Sequence, residues 1–247
     1  LKLYSYGFML ALSFLLGILL AARRAGRRGV EPDTVYDLSM IIVICAVIGS
    51  RGLYILTHRD RFEGLVDIFA LWQGGATYYG GLILAVAGSV VYLRRKGVPF
   101  FRMADITAPS IALGVFLTRI GCFLSGCCFG SPTSCPTGLV FPPGSPAGHV
   151  HHGIAIHPTQ LYSSLYGLLI LAALLLIDRG GDRRDGYLFA WLCILYGISR
   201  FAVDFFRFYE ESAMIAGGLV DNQVISILLV VFGAAFLVIS GRGRVKE

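Results

Sequence analysis

Between Thr118 and Gly130 the chain reads TRIGCFLSGCCFG, which sets one arginine and three cysteines directly after an apolar run. Arginine is a permanent cation whose planar fork matches a phosphate or carboxylate. A thiol becomes a nucleophile once ionised, and a nearby guanidinium favours ionisation. Two further arginines stand in apolar surroundings, Arg51 in IGSRGLY and Arg200 in SRFAVDFFR, the latter followed one turn later by Asp204. Ionisable groups at membrane depth are costly and mark function unless they are paired. Arg200 and Asp204, spaced i, i+4, share a helix face, so one reading is that they pair and snorkel to the interface. Three guanidinium groups against one carboxylate leave a surplus of charge, and that surplus points to a phosphate-bearing ligand, for which a phospholipid head group is the natural candidate.

The remaining chemistry-bearing residues each carry a bland reading beside a functional one. In WQGGATYYGGL, Gly74 and Gly75 read as helix-packing positions, whereas Tyr79 with Gly80 and Gly81 can face a ligand. Tyr6 and Tyr54 fit an aromatic belt. In HPTQLY, Pro158 suits a helix start, and His157 can cap it; Gln160 follows within the first turn. His149, His151 and His152 form a loose cluster in a polar stretch. Cys45 and Cys193 lie inside apolar runs as small apolar residues, leaving Cys122, Cys127, Cys128 and Cys135 together. Adjacent cysteines bridge only with strain, so a structural disulfide from Cys135 to Cys127 or Cys128 ranks first. A reactive thiolate beside Arg119 ranks second and a metal site third; no cofactor is called for.

These residues must be held by membrane helices. The chain has 247 residues, 56% apolar and 15% charged, with a mean hydropathy of +0.73, far from a soluble domain. Seven segments reach the roughly 20 apolar residues a span needs: 4–22, 35–56, 68–93, 103–124, 158–177, 186–206 and 221–240. The net charge of +6 is not a nucleic-acid footprint, because most cations punctuate those spans. They fall as Arg23, Arg24, Arg27, Arg28; Arg94, Arg95, Lys96, Arg102; Arg179, Arg183, Arg184; and Arg242, Arg244, Lys246. Placing all four clusters in the cytoplasm orients the N-terminus outside and the C-terminus inside. The first run is followed by RRAGRR rather than a small-residue cleavage site, so it reads as a span and not a signal peptide. The expectation is one all-α transmembrane domain, 1–247, with a small extracytoplasmic cap over 125–157. That cap is too polar and proline-broken for a helix.

SYGFMLALSFLLG, GSRGLYIL, WQGGATYYGGL, TRIGCFLSGCCFG, HPTQLY and SRFAVDFFR, in this order on seven spans, resemble the prolipoprotein diacylglyceryl transferase family. The resemblance covers nearly the whole chain. It implies a multi-pass enzyme of the bacterial cytoplasmic (inner) membrane, with its site towards the outer leaflet. Such an enzyme moves diacylglycerol from phosphatidylglycerol to a lipobox cysteine thiol of a preprolipoprotein, forming a thioether and releasing glycerol phosphate. Position by position, the family's essential tyrosine falls on Tyr6, its arginines on Arg51, Arg119 and Arg200, and its closing signature glycine on Gly130. A late Gly-Gln element is kept only as Asn222-Gln223. The departures lie in the chemistry: the family's His-Gly-Gly histidine is Tyr79, two asparagines are Cys122 and Ser125, a glutamate is Cys127, and another is shortened to Asp204. Arg119, Arg200 and Tyr79 by this matching, and Cys127 and Cys128 as thiols beside Arg119, are expected to act on the reacting groups. Tyr6, Arg51, Gly80, Gly81, Cys122, Ser125, Gly130, Gln160, Asp204 and Gln223 are expected to bind substrate. A divergent paralogue that uses Cys127 or Cys128 for nucleophilic or redox chemistry on another substrate is the competing reading. A non-catalytic lipid binder is the third.

Overall fold

The computed structural model describes residues 5–58, 77–179, 183–209 and 219–242. Among them are eight helices: α1 Ser5–Arg27, α2 Pro32–Thr57, α3 Tyr78–Arg95, α4 Phe100–Ser125, α5 Pro146–His151, α6 Thr159–Asp178, α7 Tyr187–Asp204 and α8 Asp221–Arg242. Only isolated bridges, and no named strand, occur among the described residues. Six helices, all but α3 and α5, are long and apolar enough to cross a membrane. The expected third span began at residue 68, but 68–76 lie outside the described residues, as do Gly74 and Gly75. Basic residues end α1 (Arg24, Arg27) and α3 (Arg94, Arg95), where a cation complements the helix dipole.

The chain divides into two compact units, Leu1–Ala21 with Ala104–Glu247, and Ala22–Met103. In the larger unit, α6, α7 and α8 pack in sequence, and Ala108 and Ala112 of α4 join Tyr166, Ile170, Leu174, Leu188 and Leu192 in its buried core. Small residues set the spacing: a Cβ on Gly167 would stand 2.8 Å from the Phe116 backbone nitrogen, so α6 lies directly on α4. Asp105, 1% exposed, is a buried carboxylate that sequence patterning did not single out. Its Oδ2 accepts from the Gly186 amide at 2.9 Å and its Oδ1 from the Phe189 amide at 2.8 Å. It thereby satisfies orphan donors at the start of α7, where a negative charge is favoured.

In the smaller unit, α2 and α3 pack through glycine. A Cβ on Gly80 would meet the Gly49 carbonyl at 2.3 Å, and one on Gly49 would meet the Gly80 carbonyl at the same distance. Gly80 and Gly81 were expected at a ligand; here both are buried against α2, where the absent Cβ is what allows the helices to touch. Tyr92 OH donates to Asp37 Oδ2 at 2.7 Å farther along the same pair.

The 126–158 segment differs from expectation in holding a short helix. Pro146 does not break α5 but starts it, with Ser145 as N-cap accepting from the Gly148 amide at 3.1 Å. Phe141, Ala147 and Ile156 form a small buried cluster against Phe123 and Phe129.

Candidate active site

The end of α4 builds the site. Gly126 takes a left-handed φ of 67°, its amide bonds to the Phe123 carbonyl, and the Cys127 amide bonds to the Cys122 carbonyl at 3.1 Å. This pair of bonds is a Schellman termination, which folds the chain back over the last helical turn. Cys127 is thereby returned over Cys122. Cys128 itself adopts φ 58°, a conformation that costs a non-glycine residue about 1–2 kcal/mol. Two buried residues of the HPTQLY motif hold the turn in place: Thr159 Oγ1 donates to the Cys128 carbonyl at 3.0 Å, and Gln160 Nε2 to the Cys127 carbonyl at 2.8 Å. The sulfur atoms of Cys122, Cys127 and Cys128 consequently lie within 4.8 Å of one another.

All six cysteines are free, and Cys135 is exposed. The disulfide expected from Cys135 is therefore not formed; the turn aims Cys127 and Cys128 at Cys122 instead. Within the cluster, the Cys128 thiol is pushed well below its ordinary range, first by hydrogen bonds from the Cys122 and Cys127 thiols. Arg207 and Arg119 add to this, and burial opposes it. Cys127 is pushed up, chiefly by its hydrogen bonds to Cys122 and Cys128.

Arg119 stands one turn before Cys122 on α4. It is half-buried and its guanidinium makes no hydrogen bond or ion pair among the described residues. Cys122, Cys128, Tyr166 and Tyr196 lie within its electrostatic reach. So does Tyr6, 40% exposed, whose helix can approach because Gly121 has no side chain. Ser125, the last residue of α4, shares a 3.3 Å hydrogen bond with Ser5 of α1.

Arg200 is placed differently. Its Nη1 lies 3.0 Å from Asp204 Oδ1, with side-chain exposures of 7% and 0%. Arg200 Nη2 donates to Tyr209 OH at 3.0 Å, Tyr209 OH donates to Asp204 Oδ1 at 2.7 Å, and Asn222 Nδ2 donates to Tyr209 at 3.2 Å. Tyr209, absent from the sequence reading, thus joins two helices; burial, then its bond to Asp204, pushes its hydroxyl up. Tyr166 feels the charge of both Arg119 and Arg200. Of the three arginines read from the sequence, the two in the larger unit therefore differ: Arg200 is paired, and Arg119 has no such partner among the described residues.

Other expected binders have structural partners. A Cβ on Gly130 would stand 2.5 Å from the His157 carbonyl and 2.6 Å from the Phe206 carbonyl, so this position must be glycine for packing. Gln223 Oε1 accepts from the Val220 amide at 3.1 Å and caps α8. In the smaller unit, Arg51 is 7% exposed with its guanidinium 5.8 Å from the Tyr54 ring centroid, and Tyr79 is 58% exposed. Residues that sequence reasoning missed, Thr159, Arg207, Tyr209 and Tyr166, are ordinary by type; only their neighbours give them weight.

The family model described as prolipoprotein diacylglyceryl transferase matches residues 1–239. The chain belongs to this family. A Geobacillus kaustophilus protein named phosphatidylglycerol–prolipoprotein diacylglyceryl transferase is 36% identical over 240 residues, 96% of this chain and 88% of that protein. Proteins of the same name from Clostridium tetani (32% over 235 residues, 94% and 91%) and Bordetella parapertussis (32% over 248 residues, 98% and 92%) are similar throughout. Membership of this family gives no support to a thiol-based reaction on a different substrate.

Proposed function

We propose that the chain is a membrane diacylglyceryl transferase that takes its lipid from phosphatidylglycerol and transfers it to the thiol of a prolipoprotein cysteine. The half-buried guanidinium of Arg119, without a hydrogen bond or ion pair among the described residues, carries this reading. A cation left without an acceptor in apolar surroundings is expensive unless a ligand neutralises it, and its fork matches two phosphate oxygens. The phosphate bridges the diacylglyceryl group and the glycerol that leaves. Holding it positions the scissile glyceryl carbon–oxygen bond and stabilises the charge that grows on the departing glycerol phosphate. Arg200, within reach of the same Tyr166, supports that charge from its Asp204–Tyr209 frame, and Tyr6 borders the acceptor side.

The four basic clusters favour a cytoplasmic C-terminus and an extracytoplasmic N-terminus, with 125–157 capping the site on the outer side of the cytoplasmic membrane. Purified protein given phosphatidylglycerol and a lipobox peptide should release glycerol phosphate only when the peptide is present. Peptide-independent release, or none, overturns the reading.

A further inference from the structure

We infer that Cys122, Cys127 and Cys128 form a three-thiolate zinc(II) site whose fourth coordination position takes the acceptor thiol. The acceptor role rests on the transferase reading; the metal site does not. Three sulfur atoms within 4.8 Å of one another on two segments of backbone are a ligand set and not a chance neighbourhood. Zinc–sulfur bonds of about 2.3 Å place tetrahedral sulfur atoms roughly 3.8 Å apart, so the thiols need to close by about 1 Å, within the reach of small χ1 adjustments. The turn that presents them is fixed from three sides. The Schellman bonds return Cys127 over Cys122, Cys128 is held left-handed, and Thr159 and Gln160 clamp both carbonyls. Such outer contacts orient metal ligands and support their affinity.

Charge favours the same conclusion. Three thiolates around zinc(II) carry one net negative charge, and Arg119 and Arg207 both act on Cys128. An all-sulfur donor set selects a soft d¹⁰ ion. Three protein ligands, where a structural site has four, leave one position for substrate. A thiol that binds there gives up its proton to water, since the coordinated form is the thiolate. Its sulfur lone pair then forms the bond to the glyceryl carbon as the carbon–oxygen bond breaks. The phosphate oxygen leaves with that electron pair, so thiol plus lipid gives thioether plus glycerol phosphate. Activation by the metal takes over the work of deprotonating the acceptor.

Full-length protein in detergent, reduced and stripped with a chelator, is titrated with Zn²⁺ in the absence of lipid. One zinc per chain is expected, unchanged in Cys135→Ser. Loss of an outer partner of a ligand costs about 10–100-fold in affinity, so Cys127→Ser and Cys128→Ser should each weaken binding by at least about 100-fold. Because these variants can misfold, wild-type protein is also loaded with Co²⁺, which should show thiolate-to-cobalt charge-transfer absorption. That band should grow on adding a lipobox peptide and not its Cys→Ser analogue. Failure of reduced wild-type protein to bind zinc, a mass two hydrogens low from a disulfide that persists in reductant, or a cobalt band indifferent to the peptide overturns the proposal. Equal transfer rates for stripped and zinc-loaded enzyme overturn it too, leaving the transferase reading intact. Stoichiometric zinc with a peptide-sensitive cobalt band, but no glycerol phosphate release, upholds the site and sinks that reading.

Discussion

Replacing Asp204 by asparagine removes the carboxylate 3.0 Å from Arg200 while keeping an oxygen that can accept from Tyr209. Both side chains are buried, at 7% and 0% exposure, so the change leaves a guanidinium without its counter-charge. Breaking a buried pair from one side costs about 3–5 kcal/mol. The retained tyrosine bond, itself worth about 1 kcal/mol, puts the expectation near the lower end. For a chain of this length that is a fall in Tm of roughly 6–12 °C. The control is Arg200→Met with Asp204→Leu, which removes both charges and fills the space. It should cost less than Asp204→Asn alone, because the penalty lies in the uncompensated charge and not in the lost attraction. Thermal unfolding in detergent, followed by fluorescence of a thiol-independent dye, reads both. A double replacement that destabilises more than the single one refutes the reasoning, since Arg200 would then be held chiefly by another group. If Arg200 also contacts the lipid phosphate, phosphatidylglycerol should restore part of the Tm of Asp204→Asn by binding the folded state.

Gly80→Ala should destabilise the α2–α3 pair by about 1–3 kcal/mol, since its methyl would stand 2.3 Å from the Gly49 carbonyl; near-wild-type stability with lost turnover would instead place Gly80 at a ligand. Gln160→Ala leaves the Cys127 carbonyl without its 2.8 Å donor and should cost about 1–3 kcal/mol; hydrogen exchange at Cys127 and Cys128 should rise locally. In metal-stripped protein, alkylation of Cys128 should rise less steeply between about pH 6 and about pH 8 than that of an ordinary thiol, because its pKa is lowered by the Cys122 and Cys127 hydrogen bonds. An ordinary thiol, with a pKa near about 8.5, gains nearly two orders of magnitude over that range, and mass spectrometry of the labelled peptide separates the two cases. Tyr209, raised by burial and then by its bond to Asp204, holds its proton more tightly folded than unfolded. Its contribution is therefore complete below about pH 10 and declines as pH rises through the folded value, which Tyr209→Phe should abolish in an alkaline melt.

Apolar period, glycine pairs and helix-end signals are local, so the sequence alone located most of the helices and the arginines inside them. Burial in lipid demands long apolar runs, which composition reports directly. The motif order likewise carried the family. The Arg200–Asp204 pair is itself local, spaced i, i+4 on one helix. That Tyr209 and Asn222 join it, while Arg119 makes no such bond among the described residues, depends on which segment faces which. So does the division of Gly80, Gly130 and Gln223 between packing and capping. The clearest case is the cysteines. Spacing made Cys135 an easy disulfide partner, yet a left-handed glycine at position 126 and two donors from α6 turned Cys127 and Cys128 towards Cys122. A one-dimensional pattern records which residues are near in the chain. Only the folded backbone sets the direction in which each side chain leaves it, and that direction decides the chemistry a thiol can do.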